Sequence, residues 1–236
     1  MSDISVLVAS EIVSAGLAFV VAYLFFRGYR YRRSTYLLGP LVGFSFLAFS
    51  YIFLGWSLVF GNIATISESF LWLRLITQTY GFAFIAFAYY FSRKSEEQQR
   101  SSLGMILLIS AISIFLLVGI LIAAPPFPEL PSTNVADEWF TAVNLVFLGY
   151  VIFALVRLLE TLRKTVSSWA WAPLAFCLLW LAQYSWLIWG VDGSQTALVF
   201  AHGARLASLA FFIFIYGLSR RVRDEGREAQ QNPNLL

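Results

Sequence analysis

The chain has 236 residues, of which 59% are hydrophobic, 18% aromatic and only 12% charged, and its mean hydropathy is +0.74. Within it no polar segment is longer than the 17 residues that follow Ser219, which excludes a separate water-soluble domain in these residues. The net charge of +3 sits in clusters between apolar runs, which makes it an orientation signal and not a nucleic-acid footprint.

A bilayer's hydrocarbon core needs roughly 20 apolar residues of helix. Seven spans meet that length, at about 5–27, 37–60, 70–92, 103–124, 138–160, 169–190 and 196–219. The predicted fold is therefore all-α, a polytopic bundle of seven transmembrane helices over residues 1–219 with a cytoplasmic tail at 220–236.

The first span holds Glu11 within its apolar run, and Asp3 before it replaces the basic flank of a cleavable signal, so this span is expected to stay in the mature protein. The second carries Gly39-x-x-x-Gly43, a spacing that lets helices approach closely. Near the outer edge of the third span stands Arg74, with Gln78 one turn deeper on the same face. The fourth is uncharged, with serines as its only polar side chains, and reads as a lipid-facing connector; the proline-rich segment 125–131 after it is stiff and extended.

Asn144 is the polar residue within the fifth span. The sixth is aromatic. Trp169 and Trp171 fall at its inner interface and Trp186 and Trp189 at its outer one, as in an interfacial belt. Trp180 and Tyr184 lie near mid-membrane one turn apart, as simple core packing or as the wall of an apolar ligand slot. Cys177, the only cysteine, excludes a disulfide within the chain. The seventh span contains His202 and Arg205 on one face, with Arg205 on the order of 10 Å below the outer boundary.

Seven spans place Arg27, Arg30, Arg32, Arg33, Arg93, Lys94, Arg100, Arg157, Arg163, Lys164, Arg220, Arg221, Arg223 and Arg227 on one side. The other side receives Asp3, Glu68, Glu129, Asp137, Glu138 and Asp192 and no cation. Positive charge is retained in the cytoplasm, so the chain is expected in the cell membrane with its N-terminus outside and its C-terminus inside.

Residues 34–57 align with 167–190 at a constant offset, matching Pro40 with Pro173, Tyr51 with Tyr184 and Trp56 with Trp189. The same offset sets Glu11 against Asn144, and a slightly different one sets Arg74 against Arg205. Two explanations stand: a 3+1+3 duplication about an axis along the membrane normal, or chance alignment of apolar segments that share interfacial Trp, Tyr and Pro.

An ionisable group near the centre of a membrane helix costs roughly 2.5–3.5 kcal/mol on insertion scales, so it faces protein or water. Glu11, Arg74, Gln78, Asn144, His202 and Arg205 all fall in the outer half of the bundle, with Glu11 the candidate partner of Arg205. This set reads in three ways: a structural staple, an outward-opening binding site that continues into the Trp180–Tyr184 slot, or a proton or ion relay. A relay normally crosses the whole membrane, and this cluster stops halfway. One histidine, no HExxH or carboxylate cluster, no phosphate loop and no nucleophile elbow leave neither a metal site nor an enzyme indicated.

The segment Leu179-Trp180-Leu181-Ala182-Gln183-Tyr184-Ser185-Trp186-Leu187-Ile188-Trp189-Gly190, together with seven spans and Arg74 early in the third, resembles the microbial rhodopsins. That resemblance implies a seven-helix scaffold around a lipophilic ligand. The chain departs from the family where retinal attaches, since its lysines are Lys94 and Lys164, both at cytoplasmic ends. Thr77 and Gln78 stand where the family has a carboxylate after the arginine, and Ser185 where it has a proline. No covalent cofactor is expected; a non-covalent lipophilic ligand remains compatible.

The resulting expectation is a non-enzymatic membrane receptor, sensor or transporter for a small or lipophilic molecule. The alternative is an accessory or structural subunit of a membrane complex, or a homo-oligomer, for which Gly39-x-x-x-Gly43 is a candidate contact. Its partners are the lipid bilayer and no nucleic acid.

Overall fold

The computed structural model describes residues 2–32, 37–91, 133–161 and 171–231. The predicted fourth span and the proline-rich segment after it lie outside the described residues, so six of the seven predicted spans are seen. These are α1 (Ser2–Arg32), α2 (Leu38–Val59), α3 (Ala64–Phe91), α4 (Thr133–Thr161), α5 (Ala172–Asp192) and α6 (Gln195–Gln231). All six are long and apolar enough to cross a membrane.

Helix is what such runs must form, because hydrocarbon offers the backbone no hydrogen-bond partner and a helix satisfies its own. The ends follow local chemistry. Pro40 and Pro173 occupy the first turns of α2 and α5, where a missing N–H costs nothing. Gly193 closes α5 at φ 67°, its N–H donating to the Trp189 carbonyl at 2.8 Å; glycine takes this left-handed conformation without steric cost. Ser194 then starts α6, its hydroxyl oxygen 3.4 Å from the Ala197 N–H.

Several boundaries differ from expectation. α3 starts at Ala64, six residues before the predicted edge, so Arg74 lies ten residues inside the helix instead of at its mouth. α4 starts at Thr133, which turns Asp137 from a loop residue into a helical one, the fifth residue of the helix. α6 continues past Ser219 to Gln231 as one helix of 37 residues, about 55 Å long.

Neighbouring helices pack in chain order, α1 on α2, α2 on α3, α3 on α4, α4 on α5 and α5 on α6, and α6 returns to α1. The described helices thus form a closed ring. One end of its interior is filled by aromatic rings: Phe44 lies 5.7 Å from Phe25, 5.1 Å from Phe212 and 6.5 Å from Phe176, and Phe176 lies 4.9 Å from Phe212. Leu47, Leu148, Leu179 and Leu209 extend this core with no exposure. Large apolar side chains such as Val146, Phe153, Val199 and Phe214 point outward and exposed, as a lipid-facing surface requires.

The Gly39-x-x-x-Gly43 motif is not a lipid-facing stripe. It is buried against α3, and a Cβ at Gly43 would stand 2.5 Å from Ile85 Cγ1 and 2.6 Å from the Gly81 carbonyl oxygen. Small residues here let two backbones meet, the usual way helices associate in lipid. Gly43→Ala is expected to cost about 1–3 kcal/mol through overpacking, read as a lower unfolding midpoint in detergent. A shift under about 0.5 kcal/mol, the range of surface substitutions, would mean that α2 and α3 are further apart.

Candidate functional site

At the end of the ring opposite the aromatic core, all six helices contribute to one buried polar layer. Glu11, on α1, is fully buried. Arg205 of α6 donates from Nη2 to its Oε1 at 2.6 Å. The same Nη2 is 2.8 Å from His202 Nδ1. A guanidinium can only donate, so Nδ1 accepts and the proton of the neutral imidazole lies on Nε2. The Ser10 hydroxyl, 3.0 Å from the same Nδ1, lies 2.8 Å from the Leu7 carbonyl, to which it donates. Beneath the guanidinium is the Tyr51 ring of α2, at 4.5 Å, a distance at which cation and ring attract.

A second ion pair lies across the bundle. Arg74 of α3 donates from Nη1 to Asp137 Oδ2 of α4 at 3.2 Å, and its guanidinium stands 4.4 Å over the Trp186 ring of α5. Trp186 donates its indole N–H to the same carboxylate oxygen at 2.9 Å, while Thr141 lies 3.4 Å from the other oxygen. Trp186 also joins the two pairs, since its ring meets His202 edge-on at 5.9 Å. The short turn at Gly193–Ser194 sets this up: Trp186 precedes it by seven residues and His202 follows it by eight, so the two lie at equal depth.

Charge in the layer cancels, two guanidiniums against two carboxylates. Hydrogen bonding does not close in the same way. Among the described residues, Glu11 Oε2, Tyr51 Oη, His202 Nε2, Arg205 Nε, Gln183 Oε1 and both amide atoms of Asn144 are buried without a hydrogen-bond partner. Burying a polar atom unpaired costs on the order of 1–3 kcal/mol, and native interiors contain few of them.

Each predicted site residue can now be placed. Glu11, His202 and Arg205 are brought together. Arg74 joins the layer through Trp186 and not by contact with Glu11; it is 4% exposed, where a surface-seeking arginine would reach water. Gln78 is buried one turn below Arg74, and Asn144 is buried on α4 two turns below Asp137. Trp180 and Tyr184 stack on each other at 5.5 Å and 8°, but Tyr184 is 44% exposed and Trp180 donates to the Leu145 carbonyl at 3.2 Å. This pair therefore stands on the outer flank of α4 and α5 and does not wall an internal slot.

Trp186, expected in the interfacial belt, is buried at the centre of the layer. Asp137, Tyr51 and Ser10 are further members that composition alone did not single out. A signal for Asp137 existed in the spacing Asp137, Thr141, Asn144, Leu148, which places three polar residues on one helical face above the core.

Fold and layer together describe a multi-pass membrane protein, a ring of apolar helices with paired charges at one end. Comparison with protein-family models, curated proteins and solved structures finds no match.

Proposed function

We propose that the chain is a non-enzymatic seven-span cell-membrane protein, N-terminus outside, that binds a small or lipophilic molecule non-covalently in the polar layer and acts as a receptor or sensor. The observation that carries this reading is the set of buried polar atoms that the fold leaves without a protein partner. A ligand with both donor and acceptor groups would complete them, as the few convergent polar groups of a ligand pocket do.

Two features favour sensing over transport. The Phe25, Phe44, Phe176 and Phe212 rings fill the bundle beyond the layer, so this conformation offers a bound molecule no onward path. And α6 carries Arg205 at one end and the basic residues 220–227 near the other on one continuous helix, a rigid link from ligand to cytoplasmic side. Segregation of the loop cations supports the orientation, and the count of seven rests on the apolar run of sequence at 103–124.

The 3+1+3 duplication belongs to the same proposal. Arg74, on the third helix of the first half, pairs with the first helix of the second half and stacks on its second helix. Arg205, on the third helix of the second half, does the same to α1 and α2. That reciprocal pattern is what a pseudo-two-fold axis produces, and an opsin-like scaffold without a retinal lysine is compatible with it.

A second reading, an accessory or structural subunit, is favoured by the internal cancellation of charge, since two closed ion pairs suffice as a bundle staple. Asn144→Leu separates the two. Its amide has no partner in the fold, so an isosteric apolar replacement is expected to be neutral or mildly stabilising. Under the receptor reading, native mass spectrometry and a 300–700 nm spectrum of gently purified protein show a co-purifying molecule that this variant loses. Bulk lipid alone on both proteins would favour the subunit reading.

A further inference from the structure

Between α1 and α2 lies a crevice of about 290 Å³, whose lining includes Ile12, Tyr51, Gly55, Trp56, Val59 and Phe60. Its rim is exposed on the lipid-facing surface at Ile12, Trp56, Val59 and Phe60, whereas Tyr51 and Gly55 are buried and form its floor. Tyr51 is thus shared between two places: it lines the crevice and lies under the Arg205 guanidinium of the polar layer. Its hydroxyl is buried without a hydrogen-bond partner.

We propose that this crevice is the lateral entrance to the polar layer and seats the hydrocarbon chain of a neutral amphiphile, whose hydroxyl or carbonyl head hydrogen-bonds Tyr51. The inference rests on the ligand-binding reading above and names its substrate class. Apolar walls open to the bilayer favour a molecule already dissolved in lipid. Neutrality follows from the pairing of the layer: a charged head would have to displace Glu11 or Arg205 from a 2.6 Å contact, whereas a neutral head takes up the unpaired atoms and leaves the ion pair closed. Size agrees, because the volume is at the lower end of ligand pockets, roughly 300–1,000 Å³, enough for a chain segment and a small head.

The test uses the full chain in phosphatidylcholine nanodiscs with a diazirine-bearing hexadecanol, photolysed and mapped by peptide mass spectrometry. Adducts are expected on residues 8–12 and 52–60, and oleyl alcohol should compete at least about fivefold better than oleate or octadecene, the weight of one hydrogen bond. Tyr51→Phe deletes only an unpartnered hydroxyl, so the variant should remain folded and lose that preference for the alcohol; Gly55→Leu, which fills the floor, should block labelling. Equal competition by all three compounds would reduce the crevice to ordinary lipid contact and overturn the proposal. Alcohol-selective labelling at residues 137–144 and 180–186 instead would overturn the crevice while preserving the binding reading. Absence of any competed labelling would overturn the proposal and leave the binding reading to the co-purification test with Asn144→Leu.

Discussion

Arg205→Gln is expected to destabilise the protein by about 3–5 kcal/mol, the cost of leaving one partner of a buried pair uncompensated. Glu11 is fully buried, and its contact with Arg205 is the shortest ion pair among the described residues. With the guanidinium gone, the carboxyl group is left without its partner in a medium that cannot solvate a charge, and His202 Nδ1 loses its 2.8 Å donor. The double variant Glu11→Gln/Arg205→Gln removes both charges and should recover most of the loss. Urea or SDS unfolding in detergent micelles, followed by tryptophan fluorescence, gives the full cycle, and recovery of most of that loss corresponds to a coupling of at least about 3 kcal/mol, the upper end for residues in direct contact. Additive single effects would mean that water reaches the pair and screens it. The distinction matters for function, since a loose pair could yield to a charged ligand and a tight one could not.

Removal of the Trp186 ring should cost as much. Trp186→Ala is expected to lose about 3–5 kcal/mol, the range for deleting a buried aromatic side chain, because this ring packs on Trp189 at 4.9 Å, lies beneath Arg74 and meets His202. Trp186→Phe retains a face for the guanidinium but cannot donate to Asp137, whose oxygen now receives the indole N–H at 2.9 Å. Its expected cost is about 1.5–3 kcal/mol, the weight of a hydrogen bond to a charged group. Equilibrium unfolding and near-ultraviolet circular dichroism of both variants provide the check. Variants indistinguishable from wild type would return Trp186 to the interfacial belt. Equal losses in both would place its whole contribution in the indole N–H.

The polar layer explains why these two substitutions outrank others. Each arginine is held by a carboxylate on one helix and an aromatic ring on another, so a single side chain secures three helices. A core leucine touches as many neighbours, yet its deletion leaves only a cavity, typically at 2–5 kcal/mol. An unpaired charge in hydrocarbon has no comparable means of relaxing except by admitting water or taking up a proton.

Much of this molecule was legible before any tertiary contact was known. Uninterrupted apolar runs dictate helices, because lipid satisfies no backbone group, and six of the predicted spans lie within described helices, several of which extend beyond the predicted limits. Glu11, Arg74, Asn144, His202 and Arg205 were recognisable for a related reason: polar residues inside such runs are costly enough to require partners. Pairing of Glu11 with Arg205 followed from depth alone, since both lie a similar distance from the same end. The sequence could not say on which side of its helix Tyr184 falls, because α5 is apolar around its whole circumference and carries no periodicity to orient it. Trp186 and Tyr184 accordingly exchanged their expected places, one going to the centre of the layer and the other to the exposed flank.

The order of apolar and polar residues therefore determined that the chain crosses the bilayer repeatedly and that the ionisable residues within its spans collect at one end, since both depend only on the solvent to which each residue is exposed. Which arginine meets which carboxylate, where the glycines pack and where the crevice opens were decided by the tertiary structure. Those outcomes depend on helix rotation and on approaches of a few ångströms, for which a uniformly apolar sequence contains no local instruction.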